Sequence, residues 1–549
     1  MATAPNRRLI RAGVWGLALT LQTGAAAEIS QDLALQLRGV ASSDPFGGGY
    51  RSWIDTSVTG SLTATYNRLN ANVNGTVGRR EVVSGFVPTS VYAQGSATAR
   101  LEALEDKLFL DAGGSARQGQ QAGGGALGAG SLLTAQQDLQ LYSVFLSPRI
   151  VQRLNEDMFV VGNYRLTYQS SSQQRQSPGI AAPQPQAFGN SVSHSFGAQL
   201  GYRPRGSRLS AALQGSHQVT EVSNFDQQFV SSSVSATANY RASRHLTVGA
   251  TAGYQSIDNS QAVIVLNPIT GRPVLDEDGE IVTDPTARST AFSREAVIAT
   301  LNLSYRPSNR FSAQVRGGYR DIGTSIDAQV AWRVGANTSL TLSANRDIQT
   351  PGLGDRSRTF AFDDEVTITG PDGEELDIDV SCPIALSDED GSCLLTQSVS
   401  ALAGTSRRTR VAIGTNWRKN STSVGLATFY QGQDFLDPRQ FQEAGAPDFS
   451  GLGDRSIREV GGSVSASTRL TRASTISGSV QLSDVDDLAG RQGGTRVQAQ
   501  LNYRRSFAGN FYLTGSAAYL SGQPNLAPAG GQTADDSIHS LAIGLGYRF

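Results

Sequence analysis

"AVIATLNLSYRPSNRFSAQVRGGYR", residues 296–320, decides the fold. Val297, Ala299, Leu301, Leu303 and Tyr305 fall on one parity, and Thr300, Asn302, Ser304 and Arg306 on the other. After a short polar break the alternation resumes. Phe311, Ala313, Val315, Gly317 and Tyr319 stand against Ser312, Gln314, Arg316, Gly318 and Arg320. Successive side chains of a strand point to opposite faces, so the stretch reads as a β-hairpin with one apolar and one polar face.

The same unit recurs along the chain: an alternating run, an aromatic, an arginine, a polar turn, another run. Its aromatics are Tyr202, Tyr240, Tyr305, Trp332, Trp417 and Tyr503, and the C-terminal "SLAIGLGYRF" repeats the half-unit with Tyr547 and Phe549. Self-similarity of this kind is the primary signal of architecture. A soluble β-sandwich alternates too. Runs of about ten residues that end in an aromatic suit a tilted membrane strand with an interfacial girdle better. Unpaired backbone amides in hydrocarbon cost several kcal/mol each, so a spanning sheet must close on itself.

The expectation is therefore an all-β protein, a single closed antiparallel transmembrane β-barrel with no plug domain. Counting alternating runs gives about 22 strands, within roughly 18–22. The candidate first strand is "ISQDLALQLRGV", 29–40, which the C-terminal strand must meet. Short links alternate with long ones, and such barrels place short turns in the periplasm and long loops outside. The longest outer loops are expected near 259–292 and 349–404. "LYSVFLSPRIVQRLNEDMFVVGNYRL", 141–166, is the least regular hairpin.

Residues 1–27 read as an export signal: Arg7, Arg8 and Arg11, then a short apolar stretch, then an Ala-rich cleavage site. Residues 28–549 are assigned to the barrel, in the outer membrane of a Gram-negative cell. Cys382 and Cys393 lie close together in one acidic insertion, and an oxidising compartment favours a local disulfide.

Apolar residues make up 39% of the 549, mean hydropathy is -0.25, and the formal net charge is -1, which gives no general argument for a nucleic-acid partner. Four histidines and two methionines are poor material for a metal or redox enzyme. His194 beside Ser195 suggests a hydrolase, but strand neighbours point to opposite faces and cannot form a nucleophile–base pair. No catalytic residue, metal ligand or cofactor is assigned. The acidic insertion matches no EF-hand spacing.

The inward parity supplies the chemistry. Arg316, Arg320, Arg333, Arg410 and Arg496 should line the pore with few carboxylates, Asp327 being one. Arginines lining a wet pore favour anions, while those directly after a girdle aromatic can equally anchor the barrel at the headgroups.

The "YRP" and "YRxxR" hairpins with a terminal "GYRF" resemble the β-barrel porin 2 families of proteobacterial outer membranes, over most of residues 55–549. The resemblance implies a barrel without a plug and an association with exopolysaccharide loci, hence polysaccharide-export components as partners. It carries over no functional residue. The alternating C-terminal strand ending in Phe549 resembles the address read by the barrel assembly machinery. Lipid and lipopolysaccharide are the remaining expected partners. The function expected is passive passage of small or polymeric anions, with a non-conducting adhesin-like or structural barrel as the alternative and an outer-membrane hydrolase behind both.

Overall fold

The computed structural model describes residues 28–43, 50–84, 90–120, 138–173, 190–223, 226–265, 274, 282–320, 323–349, 366–369, 375–378, 406–435, 456–487, 494–507, 510–521 and 537–549. The expected export signal, 1–27, and the Cys382–Cys393 pair lie outside these residues.

Alternating sequence becomes strand wherever it occurs. The first six strands are β1 (Glu28–Ser43), β2 (Tyr50–Thr65), β3 (Leu69–Ser84), β4 (Ser90–Leu104), β5 (Leu108–Gln120) and β6 (Asp138–Arg153). There follow β7 (Met158–Gln173), β8 (Ser191–Tyr202), β9 (Leu209–Val222), β10 (Gln227–Arg241), β11 (Leu246–Ile264) and β12 (Thr283–Ser308). The next are β13 (Phe311–Arg320), β14 (Gly323–Arg333), β15 (Thr338–Gln349), and a separate hairpin of β16 (Val366–Thr369) and β17 (Glu375–Ile378). The chain ends with β18 (Ser406–Lys419), β19 (Thr422–Phe435), β20 (Ser456–Thr471), β21 (Ser474–Asp487), β22 (Gly494–Ser506), β23 (Phe511–Ser521) and β24 (Ser537–Arg548).

All but β16 and β17 join one 22-stranded sheet in which each strand pairs antiparallel with its chain neighbours. β15 pairs with β18, and β24 pairs with β1. The sheet is therefore a cylinder. Along the seam nine residue pairs run from Ala34↔Arg548 to Ser42↔Ser540, and the Phe549 amide donates to the Leu33 carbonyl at 2.8 Å. Arg548 also donates through its guanidinium to Asp32 across the seam.

Tight turns link strands at one end. Asp106, Asn420 and Asn510 take φ of 55°, 54° and 66° there, the left-handed region that Asp and Asn tolerate. Both chain ends of the barrel lie at this short-turn end. The expected loop at 259–292 is corrected: β11 and β12 run through much of it, to Ile264 and from Thr283, with register shifts at Asn259/Ser260 and Ala262/Val263. Strand pairing satisfies backbone groups beyond the membrane as well as within it, so the hairpin continues past the apolar band.

The outward parity carries the apolar surface. Leu301, Leu303, Leu501, Ile543 and Leu545 are all exposed, a pattern that only hydrocarbon can cover. Tyr202, Tyr240, Tyr305, Trp332, Trp417 and Phe549 are exposed on that face at the short-turn end, with Tyr503 and Tyr547 partly covered. A second outward ring, not anticipated from the sequence, sits toward the long-loop end and includes Tyr142, Tyr168, Tyr254, Tyr319 and Tyr519, the last packed at a tilt against His539 at 5.0 Å. Between Tyr547 and His539 the strand runs roughly 27 Å, which at the ~40° tilt of such strands is about 20 Å along the barrel axis, of the order of their ~25 Å apolar band. A closed barrel with this exterior is an outer-membrane protein.

Candidate functional site: the lumen wall

The inward parity is built in layers. Five inward rings lie flat on glycines of the neighbouring strand: Tyr92 on Gly78, Phe145 on Gly113, Phe159 on Gly201, Phe429 on Gly461 and Tyr512 on Gly546. A Cβ at any of these glycines would meet the ring, so the missing side chain is what lets the aromatic lie down. Guanidiniums cover several inward rings in turn. Arg165 stands 4.1 Å from the Phe145 centroid, Arg504 4.3 Å from Tyr512, Arg149 4.8 Å from Phe109 and Arg80 5.2 Å from Trp53. Such cation–π contacts hold the cation's plane against the wall.

Toward the long-loop end the wall is dense. Asp55 accepts from Arg80 Nε at 3.2 Å and from Trp53 Nε1 at 3.3 Å, and all three side chains are buried. Arg38 stands directly across the β1–β2 ladder from Asp55. A second network spans β18 to β22. Gln431 accepts from Arg408 at 2.9 Å, and Glu459 interacts electrostatically with Arg496 and Arg408. Glu459 is 3% exposed and Arg496 6%. Inward apolar residues at this level, among them Phe229, Ile257 and Leu520, are buried too. The wall is therefore tightly packed there, each of these side chains being shielded by its neighbours.

The expected pore-lining residues divide between these settings. Arg316 pairs in register with Asp327, and both are exposed to the lumen. Arg333 ends β14, half-buried, and Arg320 ends β13. Arg410 and Arg496 do not stand free in water. Arg496 is packed into the Glu459 network, and half-buried Arg410 lies across the β18–β19 ladder from Gln431 of the same network. Sequence reading passed over Asp55, Arg80, Arg408 and Glu459. The same parity test finds them: in "RSWIDTSV", 51–58, Trp53 and Asp55 oppose Ile54 and Val58, and in "IREVGGSVS", 457–465, Glu459 opposes Val460 and Val464. His194 bonds the Tyr164 hydroxyl at 2.8 Å on the outer face, with Phe196 packed on that tyrosine, while Ser195 takes the inner parity. Among the described residues no cluster of His, Cys, Asp or Glu could hold a metal ion.

No protein-family model matches the chain, and no curated protein matches it. Solved structures do. The ferric citrate transporter FecA in its unliganded form is similar at TM-score 0.50 and 8% identity, over 95% of this chain and 79% of that one. The FrpB iron transporter from Neisseria meningitidis (F3-3 variant) gives 0.47 and 10%, over 95% and 82%. OccK5 (OpdH) of Pseudomonas aeruginosa gives 0.34 and 9%, over 95% and 98%. At such identities the likeness speaks for the barrel alone. It also corrects one expectation, that of a barrel with no plug domain, because the similar transporter structures carry plug domains. That expectation came from the resemblance of the hairpin and C-terminal motifs to the β-barrel porin 2 families. The physical reason for the correction is width: twenty-two strands enclose a lumen of the size that outer-membrane transporters fill with a plug.

Proposed function

We propose that this outer-membrane barrel provides a path for small or polymeric anionic solutes, acidic polysaccharide among them. The observation that carries the reading is the charge of the inner wall. Arg149, Arg165, Arg316, Arg333, Arg410, Arg496 and Arg504 take the inward parity; of the inward carboxylates, Asp32, Asp55, Asp111, Asp327 and Glu459 each face an arginine, and Glu102 accepts from the Asp106 amide in the β4–β5 turn. A guanidinium stays charged at any physiological pH, and low-dielectric walls focus its field on the passage. The solved transporters and porins of similar fold agree with a transport role in general terms. Polysaccharide as the cargo rests on the resemblance of the hairpin and C-terminal motifs.

A second reading has its own observation. The dense collar at the long-loop end suits a barrel that holds its surface loops in place and conducts little. Planar-bilayer recording of the purified protein separates the two. A conductance with anion-selective reversal potential in a KCl gradient supports passage, and a membrane that stays silent at every protein load removes it.

A further inference from the structure

The irregular hairpin β6–β7 departs from the barrel's rules at one place. Pro148 sits in the middle of β6, an interior strand, where it can donate no ladder hydrogen bond. Pairing with β7 runs to Leu146↔Leu166 and resumes at Arg149↔Asn163. A proline at that position of a membrane strand costs stability, and rules broken locally tend to mark function.

The inner face at this point is unusual too. Arg149 and Arg165 are diagonal neighbours, because Arg165 lies two residues beyond the partner of Arg149 on the same parity. Such diagonal positions are ~7–8 Å apart at Cα, within mutual reach of two long side chains. Each guanidinium stands over a different ring, Arg149 over Phe109 at 4.8 Å and Arg165 over Phe145 at 4.1 Å, and Phe145 itself lies on Gly113. The nearest carboxylate on β5, Asp111, is taken by Arg100 at 2.7 Å. Arg149 Nε is shielded and has no hydrogen-bond partner, while Arg165 is exposed to the lumen. A ring against one face of a guanidinium leaves its terminal N–H groups to donate, and these match the two oxygens of a carboxylate or phosphate.

We infer that Arg149 and Arg165 form an oxyanion station on the lumen wall, where a carboxylate or phosphate carried by a passing solute bridges the two guanidiniums. The station rests on the reading of the lumen as an anion path and names the group that the path recognises. Phe109 and Phe145 are positioning residues: each places its guanidinium against the wall when no anion is present.

The test is binding, with conductance measured beside it. Full-length protein in detergent is dialysed to equilibrium against fluorescent hexagalacturonate, with inorganic phosphate as competitor. Arg149→Gln and Arg165→Gln should each weaken binding about tenfold or more, and Arg205→Gln, in the short turn between β8 and β9 where it pairs with Glu156, less than twofold. Phe145→Leu, which keeps both charges, should weaken it several-fold with heat-modifiable mobility unchanged. Displacement by phosphate identifies the oxyanion group itself as what is recognised. Displacement by unlabelled oligogalacturonate alone assigns the station to uronate polymer. Equal binding by wild type and both arginine variants, or no binding of either probe, overturns the station. A silent bilayer together with arginine-dependent binding would remove the transport reading and leave the station standing. Anion-selective current with arginine-independent binding would do the reverse.

Discussion

Arg80 donates its Nε to Asp55 at 3.2 Å across the β2–β3 ladder, with both side chains shielded from water. Removing one partner of a buried pair strands the other charge, at a cost of about 3–5 kcal/mol. Asp55→Asn should therefore destabilise the barrel by that order, read as a lower midpoint for loss of the heat-modifiable band in urea. Asp55→Asn with Arg80→Met should recover much of it. Equal midpoints for wild type and Asp55→Asn would show that the pair is not desolvated in the membrane.

Phe549 finishes the closing ladder through its amide, and its ring packs edge-on against Tyr547 at 4.8 Å. Deleting Phe549, or making Phe549→Asp, should leave little folded barrel in outer-membrane fractions. Normal amounts of heat-modifiable protein would mean that the last residue is dispensable.

Leu303 is exposed on the outer face, while Asn302 donates to Asn239 at 2.9 Å inside. Spin labels at the two positions should report oxygen-rich hydrocarbon at Leu303 and a water-soluble relaxant at Asn302. Matching environments at both would contradict the barrel's orientation.

Gly546 lies under the Tyr512 ring, which in turn lies under Arg504. Gly546→Ala should push the ring off the wall and cost about 1–3 kcal/mol by overpacking. Gly39→Ala, where a Cβ meets nothing within 4 Å, is the control and should cost far less. Similar losses at both sites would count against the layered wall.

Arg316 stands in the open lumen and Arg410 in the collar's wall. Arg316→Gln with Arg410→Gln should move the reversal potential in a KCl gradient toward cations, most clearly at low salt, since screening acts over ~8 Å at physiological ionic strength. An unchanged potential would return these arginines to a structural role.

Parity made the fold legible. The barrel strands were visible as alternation, because each must show apolar groups to hydrocarbon and polar groups to the lumen, whereas the separate β16–β17 hairpin, inside the expected 349–404 loop, carries no such requirement. Strand ends were less so: β2 begins at Tyr50 and β12 at Thr283, where no apolar requirement marks the start. The site was legible only as a list of inward arginines. Which of them stack on Phe145 or Tyr512, and which, like Arg496, are buried against Glu459, depends on cross-strand register. Register is fixed by turn lengths and shear across the whole cylinder, and no local stretch encodes it. The pair at Asp55 carries no such local mark: Arg80 follows another arginine rather than a girdle aromatic.

The pairing of Ala34–Ser42 with Ser540–Arg548 has the longest sequence separation in the barrel. Closing so long a loop costs on the order of 5 kcal/mol in chain entropy before any seam bond forms. Contacts of this kind come last in folding. Until then β1 and β24 each present a row of unpaired amides and carbonyls, the surface that other strands add to and that drives aggregation. A nascent chain of this protein therefore has two adhesive borders for as long as it takes to thread the remaining hairpins. Any helper that shepherds it into the bilayer must shield both borders and release them together.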